Sequence, residues 1–273
     1  MVADCPSATD GDGSVKGLSL CSGVGGLDIA MQSIGVETVA YSEIDPYPQA
    51  ILHARMRDGW LDSAPIWPNI KTLSGADVLA RCGDIDIVYG GIPCQPHSTA
   101  GSRRGTDDER DLWPDTLRLL WEIRPSLFLL ENVAGFALQR DGEPAFAWNV
   151  VTDLTESGYD VRWTHVLAAD AGAPHRRRRF FLLAVADPAS GGYAEQKRER
   201  QTVGRGEQSD GLRRDEVADT GREQQHVQQR VQRVQELAGS LERVGDTDNT
   251  GLERRNTERS SPNERFPFPP SPK

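Results

Sequence analysis

The sequence predicts an α/β fold built on a doubly wound, mostly parallel sheet. Short apolar runs alternate with stretches of helical hydrophobic spacing from Leu18 to Ala186, an order typical of parallel sheets with helices on both faces. Glycine turns or acidic residues directly follow several of the apolar runs. In open sheets of this kind, such residues meet at the carboxyl edge of the strands, where ligands bind.

Length and composition divide the chain into three parts. The 273 residues are 37% hydrophobic, which is enough for a core, but a mean hydropathy of -0.54 indicates that part of the chain stays outside it. We predict a disordered N-terminus at 1–16, one folded domain at 17–186, and a low-complexity region at 187–273. Glutamine, arginine, glycine, serine and aspartate dominate that last region.

The net charge of -10, taken alone, argues against a nucleic-acid-binding protein. However, residues 1–186 hold 25 of the 41 acidic residues and only 16 of the 31 basic ones. The excess of acid therefore lies in the predicted folded domain, and any contact with DNA needs a local basic face. Global charge does not decide the class of ligand.

The four cysteines lack metal-ligand spacing and the density of a disulfide framework. This pattern predicts a reduced, cytoplasmic compartment and no metal site. We expect neither a secretory leader nor a membrane span, and hence no membrane association, because the N-terminal stretch lacks an apolar core and no apolar run is long enough to cross a membrane.

The first predicted strand runs into a glycine-rich turn, Gly23-x-Gly25-Gly26. A helix follows, with Leu27, Ala30, Met31 and Ile34 expected on its buried face. Glycines let a ligand approach the backbone closely, but this spacing is not that of the dinucleotide fingerprint. A structural turn and a cofactor loop are equally good interpretations of the glycines alone.

The second predicted strand, 38–42, ends at Glu43. The distance from the glycine turn is close to the roughly 20-residue offset at which an acidic residue binds ribose in nucleotide-binding units. A surface carboxylate at a helix start is the alternative, since Asp45 and Pro46 are a good N-cap and first-turn pair for a helix at 46–57. A loop rich in tryptophan and proline is predicted from Trp60 to Pro68, and another short helix near 74–81.

An apolar run at 85–89 predicts a buried strand that delivers Gly90, Gly91 and then Cys94, which stands between two prolines. Prolines fix the backbone that aims the thiol. A buried structural cysteine is the commoner interpretation of a lone thiol, and it is the neighbouring residues that favour a functional role here.

The next strand, 127–130, follows a helix at 112–123 and places Glu131 at the same edge as Cys94. A carboxylate directly after four apolar residues is costly to keep charged without partners, so we expect Glu131 to favour its protonated form. A helix at 144–157, a strand at 159–167, four arginines at 176–179 and a strand at 180–185 complete the domain. Runs of arginine are usually a solvated face or a phosphate-binding patch.

Taken in order, these motifs resemble those of DNA (cytosine-5) methyltransferases of the bacterial and phage type. The segments that carry the resemblance are Leu18 to Asp28, Glu43-x-Asp45, Pro93-Cys94-Gln95, Glu131-Asn132-Val133 and Arg177-x-Arg179. The resemblance covers about 17–186 and implies a Rossmann-like S-adenosylmethionine-dependent methyltransferase sheet. It also implies double-stranded DNA as partner, a cytoplasmic location and a restriction-modification role.

The resemblance further implies a role for each matching residue. Cys94 would be the nucleophile that adds to cytosine, Glu131 would act at N3 of the base, Arg177 would hold O2, and Arg179 would support the cysteine loop. The base would leave the duplex to reach them. Gln95, Ser98, Asn132 and Val133 would contact the substrate. The residues implied for S-adenosylmethionine are Cys21, Gly23, Gly25, Gly26, Glu43, Ile44, Asn69, Ile70, Gly91, Pro93 and Leu112.

The sequence departs from the family pattern at several points. Cys21 replaces a common phenylalanine, Asn69 a common aspartate, and His175 a common glutamine. We find no counterpart of the family's two closing motifs in 187–273, which then reads as part of a target-recognition region or as a disordered tail. A truncated chain, a second polypeptide that supplies the closing motifs, or a non-catalytic remnant that binds DNA or a partner would each explain this.

Two further enzyme functions remain open at this point. A tRNA cytosine-5 methyltransferase shares the same motifs, and a nucleic-acid substrate screen would separate it from a DNA enzyme. A dinucleotide-dependent oxidoreductase would share the fold, but it would not explain Cys94 and Glu131 at adjacent strand ends.

Overall fold

A computed structural model describes residues 14–93, 111–138 and 145–187. Within these ranges the chain forms seven strands, five α-helices and a short 3-10 helix at Ala134–Ala137. The strands are β1 (Val15–Leu20), β2 (Val36–Ser42), β3 (Ile66–Trp67), β4 (Ile87–Gly90), β5 (Leu127–Val133), β6 (Tyr159–Leu167) and β7 (Arg178–Ala186). The helices are α1 (Gly26–Ser33), α2 (Pro46–Arg57), α3 (Gly75–Cys82), α4 (Trp113–Ile123) and α5 (Phe146–Glu156).

The strands form one sheet in the order β3-β2-β1-β4-β5-β7-β6. Pairings from β3 to β5 are parallel, and β7 runs antiparallel to both β5 and β6. The predicted doubly wound, mostly parallel sheet is therefore confirmed. The chain order changes direction between β1 and β4, which makes the crevice beyond these two strands the position where open α/β sheets bind ligands.

Alternation along the strands divides the core into two layers. Phe128 and Leu130 of β5 pack with α3, α4 and α5, whereas Leu127 and Leu129 belong to the layer that contains Met31 of α1. Glu131 continues the second series, so it belongs to the α1 face of the sheet. Within the described ranges, no helix is long and apolar enough to cross a membrane.

Two local predictions differ from the structure. The segment expected to be a loop around Pro65 and Pro68 contains β3, which is held by Tyr41 N–H bonding to Pro65 and Glu43 N–H bonding to Trp67. In α1 the expected buried face is right only in part: Met31 is buried and Leu27 packs in the same layer, but Ala30 is exposed, and Ile34 is 39% exposed and lies beyond the helix end. Asp28 occupies the core instead.

Asp28 is the one charged residue that α1 buries, with no side-chain exposure. The hydroxyl of Tyr89 donates to its Oδ1 at 3.1 Å and lies 2.7 Å from Thr38 Oγ1. Burial raises the pKa of the Asp28 carboxyl, and hydrogen bonds from the Ser19 and Tyr89 hydroxyls offset this only in part. The network joins α1, β2 and β4, the elements that lead to the switch point.

Replacing Asp28 by asparagine should stabilise the fold at neutral pH. A carboxyl whose pKa is higher in the folded than in the unfolded state contributes most stability at low pH, and that contribution falls as pH rises from the unfolded towards the folded pKa. The asparagine amide never ionises, so we expect Asp28→Asn to raise the melting temperature at pH 7 by about 2–4 °C, with a smaller difference near pH 4. Thermal unfolding across pH checks this. Tyr89→Phe, which removes the donor, should be less stable than wild type, and a destabilised Asp28→Asn would contradict the sign.

Candidate active site at the carboxyl edge of the sheet

The residues singled out in the sequence gather at one edge of the sheet. The parallel strands β1 to β5 all end there, and antiparallel β7 begins there, because Val133 of β5 pairs with Arg179. The edge thus carries the glycine turn after β1, Glu43 after β2, the segment Gly91–Pro93 after β4, and the end of β5. The parallel pairing of β4 and β5 confirms that Glu131 lies at the edge where the strand that precedes Cys94 ends.

The glycine turn is held by the carboxylate of Glu43. Glu43 Oε2 accepts the Gly23 N–H at 2.7 Å and Oε1 accepts the Asp45 N–H at 2.9 Å. Gly23 has a φ of 55° and Gly25 a φ of 84°, which favours glycine at both positions. Since each carboxylate oxygen can accept more than one hydrogen bond, Glu43 can hold the loop and still accept from a ligand. Asp45 also caps α2, accepting the Tyr47 N–H at 2.9 Å, which confirms its predicted role as N-cap.

Cys21 precedes the turn in a left-handed conformation, with a φ of 51°. Burial, and the Glu43 carboxylate nearby, raise the pKa of the Cys21 thiol to about 12. The thiol is therefore neutral near pH 7 and acts as a small, weakly polar surface at the turn rather than as a nucleophile.

The segment after β4 packs tightly against its neighbours. A Cβ on Gly90 would overlap the carbonyl oxygen of Leu20, so only glycine fits between β1 and β4 there. Asn132 is buried and donates its side-chain amide to the Ile92 carbonyl at 3.0 Å. Asn132, predicted as a substrate contact, therefore anchors the segment that leads to Cys94. Cys94, Gln95 and Ser98 lie outside the described residues.

Glu131 forms an ion pair with Arg179. Arg179 Nε lies 2.7 Å from Glu131 Oε1, with the two side chains 25% and 27% exposed. Glu131 Oε2 faces the backbone of Gly91, where an added Cβ would be 3.0 Å away. The setting of Glu131 is more polar than the sequence suggests, because the Arg179 guanidinium donates a charge-assisted hydrogen bond to its Oε1. Arg179 Nη1 also donates to the Arg178 carbonyl at 3.1 Å. The predicted support of the cysteine loop by Arg179 involves residues outside the described ranges.

Arg177 and the basic residues before it form an exposed tip beside this ion pair. His175, Arg176 and Arg177 are all exposed, and Arg177 lies one residue before β7. The Arg177 carbonyl accepts the Ala168 N–H at 2.8 Å, which closes the connection between β6 and β7. The structure therefore brings Arg177 to the edge that holds Glu131, with its side chain in solvent.

The other predicted site residues lie on several elements of the described domain. Ile44 is 69% exposed directly after Glu43. Asn69 Oδ1 accepts the Lys71 N–H at 2.9 Å, and Ile70 is buried in the core. Gly26 begins α1, Leu112 caps α4, and Pro93 and Val133 are exposed.

This edge fits an adenosyl ligand. Among the described residues, no atom lies within 4 Å of a Cβ placed on Gly23 or Gly26, which leaves space above the turn within that part of the chain. Next to that space the Glu43 carboxylate can accept from ribose hydroxyls, and the exposed Ile44 offers an apolar surface for an aromatic base. An anionic acceptor beside an open glycine turn is the arrangement that nucleoside-binding sheets use.

Sequence reasoning missed two groups of supporting residues. Arg118 and Glu122 of α4 bind the backbone at 70–75, and the Asp28 network links the strands below the site. Their spacing was visible in the sequence as an i, i+4 pair and an acidic residue in a first helical turn. Their partners were not visible, because these are backbone groups and hydroxyls on distant elements.

The sequence profile of C-5 cytosine-specific DNA methylases matches residues 15–265, which extends the match beyond the motifs that end at Ala186. The Type II methyltransferase M.NgoMIV of Neisseria gonorrhoeae is 34% identical over 176 residues, which cover 62% of this chain and 51% of that protein. The Type II methyltransferase M.AquIA of a Picosynechococcus strain is 33% identical over 181 residues, covering 62% and 71%. The chain spans about half the length of M.NgoMIV.

Among solved structures, a DNA modification methyltransferase encoded within an E. coli prophage is similar to this chain. The two are 26% identical with a TM-score of 0.53, over 63% of this chain and 47% of the prophage protein.

Proposed function

Because this chain belongs to the family of C-5 cytosine-specific DNA methylases, we propose that it methylates C5 of cytosine in DNA, with S-adenosylmethionine as methyl donor. The 17–186 region would be the catalytic domain. Its relatives are named Type II methyltransferases, which supports a restriction-modification role. They give no support for a second polypeptide, and the proposal does not include one.

One observation carries the proposal: Glu131, paired with Arg179, lies beside the backbone of Gly91, three residues before Cys94. A carboxyl group and a thiol on neighbouring strand ends supply an acid and a nucleophile to one substrate ring. The Asn132 bond to Ile92 fixes the start of the segment that carries the thiol. Such preorganisation favours attack by holding the reacting groups in place.

The glycine turn and Glu43 would hold the cofactor. Gly23 and Gly25 would lie against its amino-acid portion, Glu43 would accept from the ribose hydroxyls, and Ile44 and the Asn69 segment would line the adenine. When bound, S-adenosylmethionine supplies an electrophilic methyl group at its sulfonium. The protein's own task is to position this group and to activate C5.

Cytosine C5 is a weak nucleophile because the ring is aromatic. Addition of the Cys94 thiolate to C6 forms a carbon–sulfur bond and makes C5 enamine-like. Glu131 would give a proton to N3, where negative charge develops. Arg177 holds O2 of the ring. After methylation, water takes the C5 proton, the thiolate leaves C6, and N3 returns its proton to Glu131, which restores the aromatic ring.

The basic tip beside the site gives an otherwise acidic chain a place to contact a phosphate backbone. Within this tip, His175 and Arg176 are exposed beside Arg177 and would contact phosphates while Arg177 holds the base. Arginine side chains neutralise phosphates and account for much of the affinity for DNA. A cytosine must leave the duplex to reach the edge, and contacts beside the site would stabilise that flipped state.

Trapping of the covalent intermediate tests the proposal. The protein is mixed with S-adenosylmethionine and duplex DNA that carries 5-fluorocytosine in many sequence contexts. Fluorine cannot leave C5 as a proton does, so the Cys94 adduct should persist and survive denaturant. We expect an adduct that requires the cofactor. Matched duplexes with ordinary cytosine serve as the control.

Two results would contradict the proposal. A folded protein that binds S-adenosylmethionine but forms no adduct would exclude covalent catalysis by this chain. An adduct that forms on 5-fluorocytosine RNA and not on DNA would identify RNA as the substrate and leave the chemistry unchanged.

A further inference from the structure

Arg118 and Glu122 lie four residues apart on α4 and bind the backbone of the segment that follows β3. Arg118 donates to the carbonyls of Ile70 at 3.0 Å and Leu73 at 2.9 Å. Glu122 Oε2 accepts the Gly75 N–H at 2.6 Å. Together they hold the segment 70–75 at its beginning, middle and end. We call this pair the α4 clamp.

The two side chains of the α4 clamp also bind each other. Arg118 Nη1 lies 3.0 Å from Glu122 Oε1 and 3.2 Å from Oε2. This ion pair fixes both groups in the orientation that reaches the backbone, so each holds the other in place. The packing at the far end is close: a Cβ on Gly75 would lie 2.5 Å from Glu122 Cβ. The start of α3 therefore packs directly against α4.

The segment held by the clamp begins beside Glu43. The Glu43 N–H donates to the Trp67 carbonyl at 3.0 Å, so β3 lies next to the residue that would bind the ribose. Two residues later, the Asn69 carbonyl accepts the N–H groups of Thr72 and Leu73 in a compact turn. The clamp binds the carbonyl of Ile70, the residue after Asn69. The position of Asn69 relative to Glu43 therefore depends on α4.

We infer that the α4 clamp positions the adenine side of the cofactor pocket, an assignment that rests on the proposed function. Arg118 and Glu122 would touch neither cofactor nor DNA. They are positioning residues that hold Asn69 and Ile70 at the place where the adenosyl group binds. Loss of the clamp should weaken cofactor binding and leave the chemistry at Cys94 and Glu131 intact.

Arg118→Met tests this inference because methionine keeps the aliphatic stem and removes all the donors. We expect the Kd for S-adenosylmethionine and the KM for it to rise about tenfold, the effect of one charge-assisted hydrogen bond, with kcat at saturating cofactor within about twofold. Hydrogen exchange of the amides at 69–75 should accelerate in the variant. Arg118→Lys, which keeps the charge and can reach one carbonyl, should recover part of the affinity.

Arg81→Met is the matched control, since Arg81 is an exposed arginine in the last turn of α3. It should leave cofactor affinity unchanged. If Arg118→Met does not fold, Arg118→Lys decides the question in the same assays, with an intermediate loss expected.

Unchanged affinity in a folded Arg118 variant, with only a lower melting temperature, would overturn the inference and leave the proposed function standing. Failure of the wild-type protein to bind S-adenosylmethionine would overturn both. A fall in kcat with unchanged KM would also contradict the inference, because it would place the effect in the chemical step.

Discussion

Replacing Cys94 by serine is expected to abolish methylation and the denaturant-stable adduct with 5-fluorocytosine DNA. A serine hydroxyl ionises far less readily than a thiol and is a harder nucleophile, so it adds poorly to C6 of the ring. Loss of a covalent nucleophile costs roughly 10³-fold or more in kcat. Transfer of labelled methyl to DNA, together with gel analysis of the adduct, measures both effects.

Cys5→Ser makes the same substitution in the polar N-terminal stretch and should retain activity. Cys94→Ser should keep the cofactor affinity and melting temperature of wild type, since the loss is chemical. An adduct that persists in Cys94→Ser would assign the nucleophile to another residue and contradict the mechanism.

Glu131→Gln should lower kcat by roughly 10²–10⁴-fold, the usual range for loss of a general acid. Glutamine keeps the shape of the side chain but cannot give a proton to N3 or form the ion pair with Arg179. The adduct should form much more slowly, because the negative charge of the addition is no longer neutralised. Pre-steady-state trapping with saturating cofactor and DNA measures this rate.

Arg179→Met tests the contribution of the ion pair separately from proton donation by Glu131. This variant leaves the Glu131 carboxyl in place without its partner, so we expect a smaller loss of kcat than in Glu131→Gln. If the two variants lose equal activity and the double variant loses no more, the role of Glu131 would be to support Arg179, and the assignment as acid would be wrong.

Elements with local signals were predicted well from the sequence. The helix expected at 46–57 is Pro46–Arg57, because its N-cap and first-turn proline are written in adjacent residues. The strand expected at 159–167 is Tyr159–Leu167. The two-residue β3 was missed because its support is pairing with distant Tyr41 and Ser42.

The motifs identified residues that the structure brings to the carboxyl edge, but they did not predict the contacts between them. Glu131 and Arg179 were both identified, but their pairing depends on β7 running antiparallel to β5, which no local pattern specifies. The buried face of α1 was predicted only in part, because no local pattern shows which distant residues pack against this helix. Asp28 has an ionisable side chain, which a sequence pattern places at the surface. Its burial is tolerated because distant hydroxyls bind it, such as that of Tyr89, 61 positions along the chain.

The position of β7 has a consequence for how the protein is made. β7 follows β6 in the chain but lies between β6 and β5 in the sheet. In a nascent chain that ends after β6, the strand β6 therefore has none of the described strands to pair with. Until β7 emerges, the apolar edge of β5 is unpaired and open to association with other chains. The two last strands form a local hairpin, paired from Tyr159 with Ala186 to Leu167 with Arg178, which adds to that edge as a unit. Glu131 and Arg179 therefore meet only once this hairpin has joined the edge of β5.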